Sequence, residues 1–107
     1  MEKGIQAVHP GCTEIEFANI VKTHMLNDGL MDIDFFVMGA CEKSPLVHAL
    51  PTDNIMRGGD QMRMDFGGVG EGHYLSDFAR TIMLGELNDK YVDIYNKVCE
   101  VYVDIFD

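Results

Sequence analysis

Apolar residues recur at helical intervals in two stretches of the chain and at alternate positions between them. In the first stretch Phe17, Ala18, Val21 and Met25 fall on one stripe, and Thr13 and Glu16 have the spacing of a capping box. A helix is therefore expected from there to about Asn27, stopped by Asp28-Gly29. In the second, Tyr91, Ile94, Tyr95, Val98, Val101, Tyr102 and Ile105 mark one face of a helix that Asn88 caps and that runs close to the C-terminus. Such a stripe is read as packing surface. Met1 to Val8 has the character of the tail of a helix, ended by His9-Pro10-Gly11.

Between the helices the period changes to two. Met62-Arg63-Met64-Asp65-Phe66 reads as a strand with one apolar face, and Phe78 to Leu84 reads as another. Phe35 to Gly39 is a short apolar run of strand character. Ala40 to Arg57 contains Pro45 and Pro51 and little periodicity, so a long loop is expected there, with His48 in it. A glycine-rich bend, Gly67 to Gly72, joins the two alternating runs. Strand, bend and returning strand would set Asp65 and Asp77 side by side on one sheet face. Two neighbouring carboxylates repel unless a cation lies between them, and hard or borderline divalent ions favour oxygen ligands. Taken singly, Asp65 reads better as a turn cap, and Asp77 as a partner of Arg80 or a cap of the next strand.

Composition narrows the functional classes. At 107 residues and 47% hydrophobic the chain is one small globular domain. Its formal net charge of −10 disfavours nucleic acid and anionic membrane surfaces as partners. No apolar run reaches the ~18 residues of a membrane span, and Met-Glu-Lys-Gly lacks a signal-peptide core. The three cysteines Cys12, Cys41 and Cys99 form no Cys-x-x-Cys pair. They suit a reducing cytoplasm and the part of small buried apolar residues. His9-x-x-Cys12 is too isolated for a zinc site, and His24 and His73 read as filler and turn residue. The glycine-rich bend does not match a phosphate-binding loop, and Gly-x-Ser-x-Gly is absent.

Four separated motifs, in order, carry a resemblance. They are His9-Pro-Gly-Cys-Thr-Glu, His48-Ala-Leu-Pro-Thr, Gly58-Gly-Asp60, and Asp65-Phe-Gly followed by a glycine-rich turn and Tyr74-Leu-Ser-Asp-Phe-Ala-Arg-Thr. Together they resemble the first half of the catalytic domain of the pita-bread metallopeptidases: Xaa-Pro aminopeptidases, prolidases and methionine aminopeptidases. The resemblance implies an α+β fold, half of a pita-bread domain over residues 1–107, with a curved, mostly antiparallel sheet and helices on its outer face. It implies that Asp65 chelates one divalent ion and that Asp77 bridges two (manganese, cobalt, zinc or iron). It places His48 beside a peptide substrate, where it helps stabilise the tetrahedral intermediate. His-x-x-Pro-Thr favours the Xaa-Pro aminopeptidase and prolidase branch. A creatinase-like hydrolase, a lyase and a non-catalytic peptide-binding module of the same fold are the alternatives.

Two departures from the family pattern shape the expectations. The stretch from Asp65 to Asp77 is one residue longer than usual, which a loop or bulge must absorb if both side chains are to share a face. The family's other ligands, a histidine and two glutamates, belong to a second half that this chain does not include. The chain is accordingly expected to be a fragment without peptidase activity of its own. It is also expected to form a homodimer through the surface that would meet the second half.

Overall fold

The computed structural model describes residues 2–106, and Met1 and Asp107 lie outside the described residues. Three α-helices and three strands follow one another as α1 (Glu2–Ala7), α2 (Glu14–Asn27), β1 (Asp32–Ala40), β2 (Gln61–Val69), β3 (Phe78–Met83) and α3 (Asp89–Phe106). Short 3₁₀ turns lie at Cys41–Lys43 and Glu71–His73. The capping box expected at the start of α2 is present. Thr13 Oγ1 accepts from the Glu16 N–H at 3.1 Å, and Glu16 Oε2 accepts from the Thr13 N–H at 2.8 Å.

The strands form an antiparallel sheet in the order β1-β2-β3, so β2 is central. Met62, Met64 and Phe66 alternate onto one face, beside Phe36, Met38 and Ala40 of β1. There they are buried with Phe17, Ala18 and Val21 of α2. Phe36 and Phe66 stack at a centroid distance of 5.2 Å. Burying one side chain of this size stabilises by about 1.5–3 kcal/mol. The intervening positions Gln61, Arg63, Asp65 and Gly67 alternate onto the opposite face.

β1 is longer than its apolar run predicts. It begins at Asp32, and its partner register shifts between Ile33 and Phe35, leaving Asp34 as the extra residue of a bulge. The start Asp32-Ile33-Asp34-Phe35 itself alternates polar and apolar, and the expected run, beginning at Phe35, omits it.

Two expectations need correction. Beyond Tyr91, which is half-buried, the apolar stripe of α3 is not packed: exposure runs from 48% at Ile94 to 72% at Ile105, and the helix has no buried residue. The core face of the sheet is already filled by α2, and α3 borders open clefts, one with Gln61, Thr81 and Met83 and one with Arg63, Ala79 and Thr81. Of the cysteines, only Cys12 is a buried apolar residue, while Cys41 and Cys99 are exposed. Cys41 opens a 3₁₀ turn with φ 52°, and Cys99 sits on the uncovered helix.

Candidate active site

Asp65 sits in the middle of the central strand, opposite Val37 on one side and Ala79 on the other. The pairing of β2 with β3 keeps one register from Gln61↔Met83 to Phe66↔Phe78 and meets it again at Val69↔Leu75. In that register Asp77 falls opposite Gly67, the residue two beyond Asp65. Side chains alternate with a period of two, so Asp65 and Asp77 stand diagonally on the same face of the hairpin. The extra residue between them is absorbed in the connection. There Gly72 (φ 72°) and His73 (φ 62°) take left-handed backbone angles, and the strands do not slip. His73 is a turn residue, as expected.

Gly67, opposite Asp77, has no room for a side chain. A Cβ there would overlap the Ser76 carbonyl and the Phe35 ring. Ser76 Oγ ties the returning strand to Gly68, accepting from its N–H at 3.1 Å and donating to its carbonyl at 3.2 Å. Asp77, the next residue, is exposed and available to a ligand.

Asp65 presents a different environment. Its Oδ1 is buried and has no hydrogen-bond partner. Buried polar atoms are almost always paired, because stripping water from one without replacement costs about 1–3 kcal/mol. A carboxylate accepts only, so what fits this atom is a donor or a cation. The two aspartates thus suit a hard or borderline divalent ion, but as part of a site. Among the described residues no group of three or more His, Cys, Asp or Glu side chains is placed to enclose a metal.

His48 is exposed and lies in the loop that crosses the outer edge of β1. The residue after it, Ala49, accepts through its carbonyl from the Met38 N–H at 2.8 Å. Met38 neighbours Val37, which is directly opposite Asp65. The three residues singled out from the sequence are therefore arranged across the same three strands. Asp65 and Asp77 share a face, and His48 stands at the sheet edge level with Asp65.

Two further residues belong to the arrangement. Glu14, in the first turn of α2, is fully buried and accepts five hydrogen bonds, from the Ala40 N–H, Lys43 Nζ, the Thr52 N–H and Oγ1, and Asn54 Nδ2. It thereby joins the Thr13-Glu14 motif to the Pro51-Thr52 motif and fixes both ends of the His48 loop. Burial alone would raise the pKa of Glu14. The Lys43 ammonium and the donors of Ala40 and Thr52 outweigh it and hold the carboxyl below its ordinary value. Arg63, on the face of Asp65, donates to the carbonyls of Ser44, Leu46 and Val47 at 3.1, 2.6 and 2.8 Å. In the sequence Glu14 is masked as a first-turn acid. Arg63 shows only as an outward position of an alternating strand.

Comparison with known proteins agrees with this geometry. The model of metallopeptidase family M24 matches residues 1–106. The chain is 32% identical over 90 residues to the uncharacterised peptidase YqhT of Bacillus subtilis, covering 83% of this chain and 25% of that protein. Among solved structures it is similar to the Xaa-Pro dipeptidase from Bacillus anthracis, with a TM-score of 0.86 and 34% identity, over 92% of this chain and 28% of that one. The prolidase from Pyrococcus furiosus is similar with a TM-score of 0.85 and 31% identity, over 92% and 29%. The chain thus spans little more than a quarter of the length of the relatives it matches.

Proposed function

The chain belongs to metallopeptidase family M24, and from that premise we propose that it supplies part of the active site of a metal-dependent peptidase cleaving Xaa-Pro bonds at peptide N-termini or in dipeptides. The observation that carries the proposal is the pair Asp65 and Asp77 on one face of an unslipped hairpin, with Asp65 Oδ1 buried and unpartnered. These two carboxylates would hold the divalent ions, which supply Lewis acidity and a hydroxide nucleophile near neutral pH when bound. Pairing on both sides keeps Asp65 rigid, so little rearrangement is needed on binding. His48, as an imidazole N–H donor, would orient the scissile carbonyl and stabilise its oxygen as negative charge develops. A peptide-binding module without metal would leave the Asp65 Oδ1 atom with no role. Three free thiols suit a reducing compartment, and the cytoplasm is the proposed location.

Manganese titration of the chain tests the pair. Two carboxylates leave most of a coordination sphere to water, so the expected dissociation constant is high-micromolar to millimolar, about −4 to −6 kcal/mol. Calorimetry should show this heat disappear in Asp65→Ala and in Asp77→Asn. Tight binding that persists in Asp65→Ala would place the ion elsewhere.

A second copy of the chain is the proposed partner of the uncovered α3 face. An isologous dimer would bury Tyr95, Val98 and Tyr102, which are more than half exposed. The net charge of −10 opposes association, so divalent ions and salt should favour it. Sedimentation should show a dimer that strengthens with manganese and weakens with a chelator. A metal-independent monomer at high micromolar concentration would remove the dimer from the reading.

A further inference from the structure

We propose that Arg63 is a positioning residue for His48, holding the loop that carries it in fixed relation to Asp65. The inference rests on the reading that His48 acts at the site of Asp65 and Asp77. Its evidence is the geometry of the loop itself. The guanidinium donates through Nε to the Ser44 carbonyl, and through one terminal nitrogen to the carbonyls of Leu46 and Val47. The last of these is the peptide group directly before His48. Past His48, the Ala49 carbonyl is held by the Met38 N–H, and the Leu50 carbonyl by Lys43 Nζ at 3.1 Å. The imidazole is therefore bracketed, with Arg63 as the anchor on its N-terminal side.

Apart from Arg63, that side of the loop is held by short turn hydrogen bonds, from the Leu46 N–H to the Lys43 carbonyl at 2.9 Å and from the Ala49 N–H to the Leu46 carbonyl at 3.2 Å. Leu46, Val47 and Leu50 are 56%, 64% and 66% exposed, so apolar burial does not fix the segment. Pro45 has no N–H to contribute. Hydrogen bonds from an ionised donor are about twice as strong as neutral ones, and three carbonyl dipoles converge here on one cation. A guanidinium presents several donors in a rigid plane, which an ammonium cannot reproduce.

The position of Arg63 in the strand matters as much as its bonds. It lies two residues before Asp65, on the same face of the central strand, so the loop is referenced to the metal-binding carboxylate through one extended tripeptide. The guanidinium also leaves that carboxylate alone. Among the described residues Arg63 makes no salt bridge, and Asp65 Oδ1 stays without a partner. One cation beside one anion would ordinarily pair with it. Here the cation is turned to the loop, and the anion remains open to a metal.

Amide exchange on the whole chain, with Arg63→Met and Arg63→Lys, tests the role. In Arg63→Met the Met38 and Ala49 amides should exchange at least tenfold faster, since bonds to a charged group are lost, while Phe17 and Met64 keep their native rates. Arg63→Lys should fall between the native chain and Arg63→Met. Manganese gives a second readout that simple destabilisation does not move. In the native chain the ion should broaden the His48 ring signals together with the Asp65 and Asp77 amides. In Arg63→Met the broadening should persist at the aspartates and fade at His48. Native exchange at Met38 and Ala49 in Arg63→Met overturns the proposal, as does undiminished broadening of His48. If Arg63→Met does not fold, native exchange in Arg63→Lys overturns it equally. If manganese broadens none of these signals in the native chain, the metal reading fails, and the exchange rates still uphold or overturn the anchoring by Arg63.

Discussion

Glu14→Ala is expected to destabilise the chain by about 3–5 kcal/mol, the cost of breaking a buried ion pair by removing one partner. That is a large share of the stability of any small domain. The side chain is fully buried, and Lys43 Nζ meets it at 2.6 Å. Removal would leave the Ala40 N–H and the Thr52 N–H and hydroxyl without their acceptor, and the Lys43 ammonium with no anionic partner, only the Leu50 carbonyl and the Thr52 hydroxyl. Glu14→Gln keeps the shape but presents an NH₂ to groups that are themselves donors, so it should still cost about 1–3 kcal/mol. Urea midpoints of the three proteins measure the difference. A shift within error in Glu14→Ala would mean that the loop is held without this hub.

The same carboxylate gives the chain a defined response to acid. Its folded pKa lies below its ordinary value, held there by Lys43 and the backbone donors against the opposing effect of burial. The unfolded chain therefore takes up the proton first as pH falls. The stabilisation from Glu14 is present above the ordinary carboxylate range and is lost as pH drops through the lower folded value. The gap in urea midpoint between the native chain and Glu14→Gln should accordingly be full near neutrality and narrow under acid conditions.

What was legible in the sequence and what was not divides along the range of the interactions. The start of α2 could be read because its cap lies within one turn, between Thr13 and Glu16. The β2–β3 hairpin could be read because alternation over Met62 to Phe66 states which residues share a face. That logic also put Asp65 and Asp77 together, and the left-handed Gly72 and His73 show how the longer connection leaves the register intact. Glu14 was hidden because its partners are 26 to 40 residues away in sequence. Arg63 was hidden because alternation marks it as facing outward, with no sign that it reaches back 16 to 19 residues. The stripe of α3 is apolar, as its periodicity states, but from Ile94 onward it is exposed and not packed. Periodicity states which face of a helix seeks cover, and the three-stranded sheet offers α3 none on its core side.

The proposed activity is best tested by transplanting this chain into a longer relative. When this chain replaces the corresponding segment of the Bacillus anthracis Xaa-Pro dipeptidase, to which it is 34% identical over 92% of its length, the chimera should hydrolyse an Xaa-Pro dipeptide with added manganese. Asp77→Asn in the chimera should lower kcat/KM on the order of a thousandfold or more, about 4 kcal/mol of transition-state stabilisation. The amide would carry no negative charge with which to hold a divalent ion. Asp65→Ala should do at least as much, since it empties the buried position where Oδ1 now waits without a partner. His48→Ala should behave differently, cutting kcat with the metal content unchanged, if the imidazole acts as proposed on the carbonyl and not on the ions. Metal analysis beside the kinetics separates these cases. A chimera that folds and binds manganese yet hydrolyses Xaa-Pro dipeptides equally well with Asp77→Asn would end the assignment of this hairpin to the catalytic site.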